Sequence, residues 1–324
     1  MQTPPREVPD DAVLDAVRAG WAPGAVSASY LPVGFGSHHW EVREDDGTRW
    51  FATLDELRGD AATSWLDAAF SVAHAAAARG VVAVHAPVPA ADGRLVHRVR
   101  RAWVVTVQHW LEGAAGRFSD RLADEEAEEV VELLAGLHAV PAAETRARRD
   151  DGSVAGRGML EALLACVHDP GAWQDGPLAP AVRELLAKYA DVVAGALAGH
   201  DAVAGASSLL VVTHGEPHPG NLVRTRDGLR LVDWDTALLA PPERDLWLVA
   251  ARTGVDVVAR YEELTGRPVD RSRMRHLERR WALADVADFV PGLAGATEET
   301  DDTAWQLRAL EGSLVELEGL VPPA

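Results

Sequence analysis

The stretch "VVTHGEPHPGNLVRTRDGLRLVDWD", residues 211–235, combines two short apolar runs with a set of polar side chains at the ends of those runs. The Asp227-Gly228 pair between the runs is typical of a tight β-turn. We therefore predict a small hairpin whose flanking loops carry the polar groups. Those groups are His214, Glu216, Asn221, Asp233 and Asp235.

The spacing of these residues follows the catalytic loop of protein kinases, which reads His-x-Asp-x-x-x-x-Asn. In kinases the aspartate orients the nucleophile, the asparagine ligates metal, and a later aspartate holds Mg²⁺ against the phosphates. Mg²⁺ requires hard oxygen ligands, which amides and carboxylates supply in part. The spacing of Glu216, Asn221 and Asp233 therefore indicates phosphoryl transfer, although polar capping residues in an unrelated α/β protein remain the alternative.

The stretch resembles the aminoglycoside phosphotransferase family, whose signature is His-Gly-Asp-x-x-x-x-Asn followed by a hydrophobic-Asp block. Asp-Trp-Asp at 233–235, the following "LLAPPERDLW" and the later "YEELTGRPVD" look most like the spectinomycin phosphotransferase branch. The resemblance is strong between residues 205 and 290 and weak near the N-terminus. It implies an α+β, bilobal protein-kinase-like fold, with a small, mainly β N-lobe and a larger, mainly helical C-lobe.

The pattern of the first part of the chain agrees with a nucleotide-binding lobe over residues 1–109. Residues 25–42, 49–57 and 81–113 alternate strand-like runs with turn residues, which predicts a meander of strands. An alanine-rich segment, residues 60–80, has helical spacing and stops at a glycine, which predicts one prominent helix.

The remaining chain, residues 110–324, has mostly helical patterns and would form the catalytic and substrate-binding lobe. One helix is predicted to open on a cap at Ser119-Asp120, because acidic residues and then apolar ones follow it. Further helices are predicted at 157–168 and 178–199 and from about residue 243 to the end. Residues 291–303 are predicted to be a loop or a disordered acidic segment.

The resemblance assigns roles to the polar residues of the hairpin. His214 would brace the catalytic loop, and Glu216 would take the place of the catalytic aspartate. Asn221 and Asp233 would be the metal ligands, with Mg²⁺ bound together with ATP or GTP. Glu216 departs from the family because its carboxylate lies one methylene farther from the backbone.

The resemblance also implies residues that support or contact an acceptor molecule. Asp235 would either hold the loop or face the acceptor, and Asp245 would pin the helix that follows the metal site. Asp285 and Asp288 lie in "RWALADVADFV", a helix that is near the acceptor site in the resembling family.

The nucleotide site departs from the family in the first lobe. Thr53 stands where the family has a lysine that grips the phosphates, and the next helix offers Asp67 but no central glutamate. The loop "VGFGSHH" brings backbone N–H groups to phosphate or is an ordinary hairpin turn. The segment "QHW" resembles the hinge that binds adenine. The candidate nucleotide-binding residues are thus Gly34, Gly36, Thr53, Gln108, His109 and Trp110.

The charge balance limits the partners. The net charge of −19 disfavours nucleic acid and anionic membranes, which need basic surfaces, and it suits a cationic acceptor or serves solubility alone. The single Cys166 and the lack of a signal-peptide pattern predict a cytoplasmic protein without internal disulfides. Monomer and homodimer both stay open.

We therefore predict an ATP- or GTP-dependent O-phosphotransferase that acts on a hydroxyl of a small, cationic molecule. An aminoglycoside or aminocyclitol antibiotic, with antibiotic resistance as the biological use, or a related metabolite would fit. The alternative is a degraded kinase fold that binds nucleotide or another ligand without turnover. The missing lysine and Glu216 favour the alternative, whereas Asn221 together with Asp233 favours the enzyme.

Overall fold

The structure is a computed structural model that describes residues 1–57, 62–81, 83–173, 176–203 and 209–321. It combines antiparallel sheets with helices, as the predicted α+β class requires. The strands are β1 (Ala25–Leu31), β2 (His38–Glu44), β3 (Arg49–Glu56), β4 (His97–Arg100), β5 (Trp103–His109), β6 (Ala114–Ala115), β7 (Val211–Thr213), β8 (Leu222–Thr225), β9 (Gly228–Leu231) and β10 (Leu238–Ala240). The helices are α1 (Asp10–Gly20), α2 (Ala62–Ala78), α3 (Asp124–His138), α4 (Arg157–Ala165), α5 (Ala179–Lys188), α6 (Ala190–Val203), α7 (Glu243–Ala250), α8 (Val257–Thr265), α9 (Arg271–Ala294) and α10 (Asp301–Leu320).

The chain divides into two compact units. The first comprises Met1–Asp150 and Leu209–Val269, and the second comprises Asp151–Ser208 and Asp270–Ala324. The first unit therefore contains both the predicted catalytic hairpin and the N-terminal sheet. The functional lobe boundary between residues 109 and 110 stays a prediction.

The first unit is built on a five-stranded antiparallel sheet in the order β1-β2-β3-β5-β4. One face carries Trp40, Ala52, Leu54 and Val105, which pack with apolar residues of α1 in a buried core. Successive strand residues point to opposite faces, so Thr53 and other odd-numbered residues of β3 lie on the face away from this core. That second face is the one that carries polar groups relevant to the candidate site.

Helix α1 was not identified from the sequence. Asp10 and Asp11 lie in its first turn, where they complement the positive end of the helix dipole. The helix buries Val13, Leu14 and Val17, whose spacing forms one apolar stripe. It covers the sheet face that would otherwise expose aliphatic side chains to water.

Two predicted boundaries in the first unit were wrong. The apolar run before the Asp92-Gly93 turn is predicted as a strand, but its described residues, 81 and 83–91, form an isolated bridge at Val84 and no strand. Pro87 and Pro89 lack the N–H groups that a ladder needs. Helix α3 begins at Asp124 and not at Ser119-Asp120. Its start is closed by the Glu126 carboxylate, which accepts a hydrogen bond from the backbone N–H of residue 123 at 3.3 Å.

The second unit consists of α4, α5, α6, α9 and α10 around a buried aliphatic core. The helix predicted over 178–199 is two helices, which are separated at Tyr189. Helix α9 continues through Pro291 to Ala294, so the loop predicted over 291–303 is confined to residues 295–300. Within the described part of the chain, no helix is both long and apolar enough to span a membrane.

Candidate active site

The predicted hairpin is confirmed. Strands β8 and β9 pair antiparallel with Leu222 opposite Leu231 and Thr225 opposite Gly228. Gly228 has φ 102°, a left-handed value that glycine adopts without the penalty of a Cβ atom. The turn therefore forms at the Asp227-Gly228 pair and fixes the register that brings residue 221 next to residue 232. The backbone N–H of Val232 donates to the carbonyl of Asn221 at 3.0 Å.

His214 links the two sides of the hairpin. Its ring is buried, its Nδ1 accepts from the backbone N–H of Glu216 at 3.2 Å, and its Nε2 donates to the carbonyl of Val232 at 2.9 Å. This pattern requires the neutral ring with its proton on Nε2. Burial lowers the pKa of His214 to about 4, in agreement with the neutral form. His214 thus fixes both the residue that carries the candidate base and the residue before Asp233.

Asp245 anchors the loop from α7. Its carboxylate accepts from the backbone N–H groups of His214 at 2.9 Å and Gly215 at 2.6 Å, and it lies 3.0 Å from Nε2 of His138. Burial alone would raise its pKa, but the hydrogen bond and charge of His138 outweigh burial, so the pKa of Asp245 is lowered. The structure accordingly gives this residue the contacts of a loop anchor.

Gly215 is required by close packing. Its φ is 106°, and a Cβ atom there would come within 2.4 Å of the Arg244 guanidinium. Arg244 in turn donates to the hydroxyl of Thr213 at 3.0 Å and to the carbonyl of Thr236 at 2.9 Å. The glycine between His214 and Glu216 therefore lets the loop pass directly over a fixed cation.

The candidate base and the first candidate ligand are joined by the backbone. The side-chain nitrogen of Asn221 donates to the carbonyl of Glu216 at 3.1 Å, which leaves the amide oxygen as a ligand for a cation. The N–H of His218 donates to the same carbonyl at 2.9 Å. The Glu216 side chain is half-buried, so its carboxylate retains access to a reactant.

Asp233 has the most unusual backbone of the site. Its φ is 66°, and it is the one non-glycine residue with positive φ in the described ranges. This left-handed conformation costs free energy for residues with a Cβ atom and occurs preferentially at functional positions. Asp233 directly follows Val232, whose carbonyl accepts the hydrogen bond from His214. The buried His214 side chain therefore stabilises the strained turn.

Four carboxylates influence one another at this point. Desolvation is the largest cause that raises the pKa of Asp233 well above its usual range, followed by the charges of Asp235, Glu216 and Asp55. Asp233 remains accessible to water but is closely surrounded by protein atoms. It shares a hydrogen bond with Asp235, whose pKa burial also raises.

Asp55 was missed from the sequence. It lies two residues after Thr53 on the same face of β3, and its carboxylate accepts from the hydroxyl of Ser37 at 2.5 Å. Burial, together with the charge of Asp235, raises its pKa to about 7. The available signal was the period of two along the strand, which places Asp55 on the face of the expected lysine.

The position expected to hold a lysine is occupied by a neutral pair. The Thr53 hydroxyl lies 3.2 Å from Nδ1 of His39, whose ring stacks on Phe51 at 4.9 Å between centroids. Burial lowers the pKa of His39 to about 3, so the ring carries no charge at neutral pH. The helix acid Asp67 bonds to Arg146 at 2.9 Å. The lysine–glutamate pair of kinases thus has no counterpart at these positions.

The glycine loop is a turn, and the backbone groups of the predicted hinge make hydrogen bonds within the chain. Gly34 and Gly36 have φ values of 68° and 87°, and a Cβ atom on Gly34 would meet the His39 ring at 2.9 Å. Gln108 is buried in β5. The carbonyl of His109 accepts from the His85 ring at 2.9 Å, and the backbone N–H of Trp110 donates to the carbonyl of Arg49 at 3.1 Å. Adenine would have to replace these two bonds, so the hinge assignment stays a prediction.

The residues predicted near an acceptor belong to different units. Asp235 is part of the carboxylate group in the first unit. Asp285 and Asp288 lie on α9 in the second unit, where Asp285 accepts from the hydroxyl of Ser313 on α10 at 3.2 Å and Asp288 is exposed. Their role in acceptor binding stays a prediction.

The donor set fits a divalent cation that is completed by other ligands. Asn221 offers an amide oxygen and Asp233 a carboxylate, both of the hard type that Mg²⁺ prefers. No group of three or more histidine, cysteine or acidic side chains able to hold a metal ion occurs in the described residues. The protein would therefore supply part of the coordination shell, with phosphate and water as the remainder. A cation would also offset the repulsion among the carboxylates.

Comparison with known proteins identifies the family. Residues 27–277 match the phosphotransferase enzyme family, called APH. The chain belongs to this family. Protein StrN of Streptomyces griseus is 28% identical over 296 residues, which cover 86% of this chain and 83% of StrN. The family predicted from the sequence is therefore confirmed.

Solved structures of phosphotransferases share the fold. The crystal structure of spectinomycin phosphotransferase with ADP and spectinomycin has a TM-score of 0.73 at 12% identity, and the match covers 97% of this chain and 99% of that chain. The macrolide 2'-phosphotransferase from Brachybacterium faecium has a TM-score of 0.55 at 20% identity and covers 97% and 99%. At these identities the likeness shows the kinase-like phosphotransferase fold, and the acceptor has to be inferred separately.

Proposed function

We propose that the protein is an O-phosphotransferase that moves the γ-phosphoryl group of ATP or GTP to a hydroxyl group of a small molecule. The observation that carries this proposal is the convergence of Glu216, Asn221 and Asp233 on one hairpin whose loop is fixed by Asp245. The family to which the chain belongs supports the reaction class.

Glu216 acts as the base in the proposed reaction. The acceptor oxygen bonds to the γ-phosphorus while the bond from that phosphorus to the β–γ bridging oxygen breaks. The proton of the acceptor hydroxyl passes to the Glu216 carboxylate, and the nucleoside diphosphate leaves. Phosphoryl transfer depends mainly on positioning and electrostatics, so a glutamate can serve if its carboxylate reaches the hydroxyl.

Asn221 and Asp233 hold Mg²⁺ in this proposal. The bound ion neutralises charge on the phosphate oxygens, which is its contribution to phosphoryl transfer. His214 and Asp245 keep the two ligand-bearing segments in register through buried hydrogen bonds. The site thus combines a fixed loop, a carboxylate base and two oxygen ligands.

We infer a cationic acceptor. The support is the net charge of −19 and the accumulation of carboxylates at the site, Asp235 among them. Asp285 and Asp288 on α9 stay candidates for acceptor binding. Spectinomycin phosphotransferase and macrolide phosphotransferase are among the structural neighbours, so antibiotic inactivation is the use that fits, with a related metabolite as the other acceptor type.

One observation favours a second candidate function, a protein that binds nucleotide or another ligand without turnover. The Thr53–His39 pair carries no positive charge, and Asp55 adds a carboxyl group to the same face. A site without a phosphate-gripping cation holds the triphosphate less firmly. The two functions differ in whether nucleoside diphosphate is released when an acceptor is present.

Release of ADP or GDP against a panel of aminoglycosides, aminocyclitols and macrolides tests the proposal. The wild type is compared with Asp233→Asn and with Asp227→Asn, a matched control in the exposed turn of the same hairpin. We expect acceptor-dependent release by the wild type and by Asp227→Asn, and its loss in Asp233→Asn. Binding of nucleotide without any acceptor-dependent release would favour the second function.

A further inference from the structure

Two histidines face each other inside the second unit and have no part in the chemistry described above. His200 lies on α6 and His276 on α9, and only 3% and 9% of their respective surfaces are exposed. Their rings stack with centroids 4.5 Å apart and planes inclined by 14°. This ring pair therefore lies in the packed contact between the two helices.

Each ring has a buried nitrogen without a protein partner. Nε2 of His200 lies 2.9 Å from the carbonyl of Gly152, and because a carbonyl only accepts, this nitrogen carries the proton of the neutral ring. Nδ1 of His200 is then an acceptor without a donor, and Nδ1 of His276 is also buried without a hydrogen bond. Nearly parallel ring planes do not direct both lone pairs at one metal ion. A proton is the ligand that needs no additional space at these nitrogens.

The surroundings of the ring pair oppose a positive charge. A Cβ atom on Gly199, the residue before His200, would lie 2.9 Å from Nη1 of Arg279, so this glycine admits the guanidinium beside the pair. Arg279 donates through Nη2 to the carbonyl of Leu320 at 2.8 Å, while its buried Nε has no partner. Arginines outnumber carboxylates around the pair, so a proton on either ring would meet net repulsion. The charged groups are Asp151 before α4, Arg157 on α4, Asp201 on α6, and Arg273, Arg279 and Arg280 on α9.

Both rings are accordingly neutral near pH 7. Burial is the largest cause that lowers the pKa of His276, to about 4, and the charges of His200 and of the arginines on α9 lower it further. Burial also lowers the pKa of His200, although its hydrogen bond to the carbonyl of Gly152 acts in the opposite direction. If both rings were charged, their mutual repulsion across the stack would add to these effects.

We propose that His200 and His276 form a proton-sensitive contact, which joins α6 to α9 while both rings are neutral and loosens as the rings take up protons. When the contact opens, each ring reaches water and regains its ordinary affinity for protons. Opening is therefore independent of pH above about pH 6.5 and becomes easier as pH falls towards 4. This device is confined to the second unit, so its test does not depend on phosphoryl transfer.

Backbone amide exchange on the full chain tests the contact. Protection factors, which correct for the intrinsic pH dependence of exchange, are measured at pH 7 and pH 5 for the buried residues Val193 on α6 and Leu283 on α9. His276→Phe keeps a ring against His200 but cannot take up a proton. His168→Gln is the matched control, because it removes an exposed histidine from the same unit.

In the wild type we expect protection to fall roughly tenfold to twentyfold between pH 7 and pH 5 on account of His276, as follows from a pKa of about 6.5 in the open state and about 4 in the closed state. The decrease in His276→Phe should be smaller by about this factor. His168→Gln should lose as much protection as the wild type. Equal losses in the wild type and His276→Phe would overturn the inference, as would an equal reduction of the loss in both variants.

NMR titration of the wild-type imidazole signals provides the test if His276→Phe does not fold. We expect the rings of His200 and His276 to take up protons with midpoints below about 6.5, and the amide signals of α6 to change over the same pH range. Midpoints at or above this value for both rings would overturn the proposal. Ring titration that leaves the amide signals of α6 unchanged would also overturn it, because the contact would then accept protons without loosening.

Discussion

The candidate catalytic hairpin and the polar face of the N-terminal sheet belong to the same unit but differ in the charged side chains that they carry. In the hairpin, a neutral His214 and an anchored Asp245 hold in place the loop of the candidate base and ligands. On the sheet, the position of the expected lysine has the neutral Thr53–His39 pair, with Asp55 beside it. The hairpin thus follows the family pattern except at Glu216, whereas the position of the phosphate-binding lysine carries no charge.

This difference has a consequence for any nucleotide that binds. Without a cation on the sheet, the negative charge of the phosphates has to be offset from the hairpin side, where Asn221 and Asp233 would hold Mg²⁺. Repulsion from Asp55 would add to that requirement. Substitutions in the hairpin should therefore change function more than substitutions on the sheet face.

The largest effect is expected from Asp233→Ala. Loss of a metal ligand removes several kcal/mol of charge stabilisation in the transition state, so kcat should fall on the order of 10⁴-fold. Titration of Mg²⁺ in the presence of nucleotide should show weakened metal binding in the same variant. Asp227→Ala in the hairpin turn is the control. Tight Mg²⁺ binding by the protein alone, unaffected by Asp233→Ala, would contradict the assignment.

Glu216→Gln should have the next largest effect. A general base contributes about 10² to 10⁴-fold, and a contribution confined to the transition state lowers kcat and kcat/KM together. Nucleotide Kd should change little. Glu216→Asp distinguishes a loop that has adapted to the longer side chain from a degraded site. Activity below that of the wild type indicates the adapted loop, and activity above it indicates the degraded site. Equal turnover by wild type and Glu216→Gln would remove Glu216 from the mechanism.

Acidification tests the hairpin through stability. The pKa of His214 is lowered to about 4, against about 6.5 in an unfolded chain, because burial disfavours its charged form. Between pH 6.5 and pH 4 the imidazole of residue 214 is protonated in the unfolded state but neutral in the folded state. The free energy of unfolding is therefore unaffected by this group above pH 6.5 and decreases as pH falls towards 4. The loss approaches about 3 kcal/mol.

Chemical unfolding at pH 7 and pH 4.5 measures this loss, with His214→Gln as the comparison. Glutamine retains an N–H group for the Val232 carbonyl but does not titrate in this range. The variant should therefore show a smaller decrease in unfolding free energy between the two pH values than the wild type. Equal decreases in both proteins would show that His214 is not held neutral by the fold.

The hairpin was predictable from sequence because its determinants are local. A turn pair, two apolar runs and fixed spacings place Glu216, Asn221 and Asp233 around one short connection, and the observed register follows. The bonds of Asp245 were expected only in general terms, as a structural acid. Its partner His138 lies 107 residues earlier, and no local pattern encodes that contact.

The sheet face was less predictable for a physical reason. Strand alternation shows that Thr53 and Asp55 share a face, but their environment depends on His39 and Ser37, which come from a neighbouring strand and loop. The sequence patterns do not predict helix α1, and they predict a strand in the proline-rich segment before β4. Tertiary packing decides the surroundings of Thr53 and Asp55, which motif spacing does not encode. The segment before β4 differs, because its prolines are visible in the sequence and lack the N–H groups that a ladder needs.

The smallest effect is expected from a substitution on the sheet, at Thr53. Thr53→Lys places a cation where the family has one, and it should tighten ADP binding at low salt. A pair that is open to water is worth about 0.2–1 kcal/mol, so the gain should be at most about fivefold. Because Asp55 would share the new charge, Thr53→Lys combined with Asp55→Asn should bind more tightly than Thr53→Lys alone. Thr53→Val, which removes the hydroxyl bond to His39 without adding charge, is the control. Calorimetric titration at two salt concentrations measures all four proteins. A gain that persists at high salt, or an equal gain in Thr53→Val, would show that the sheet does not weaken nucleotide binding through its missing charge.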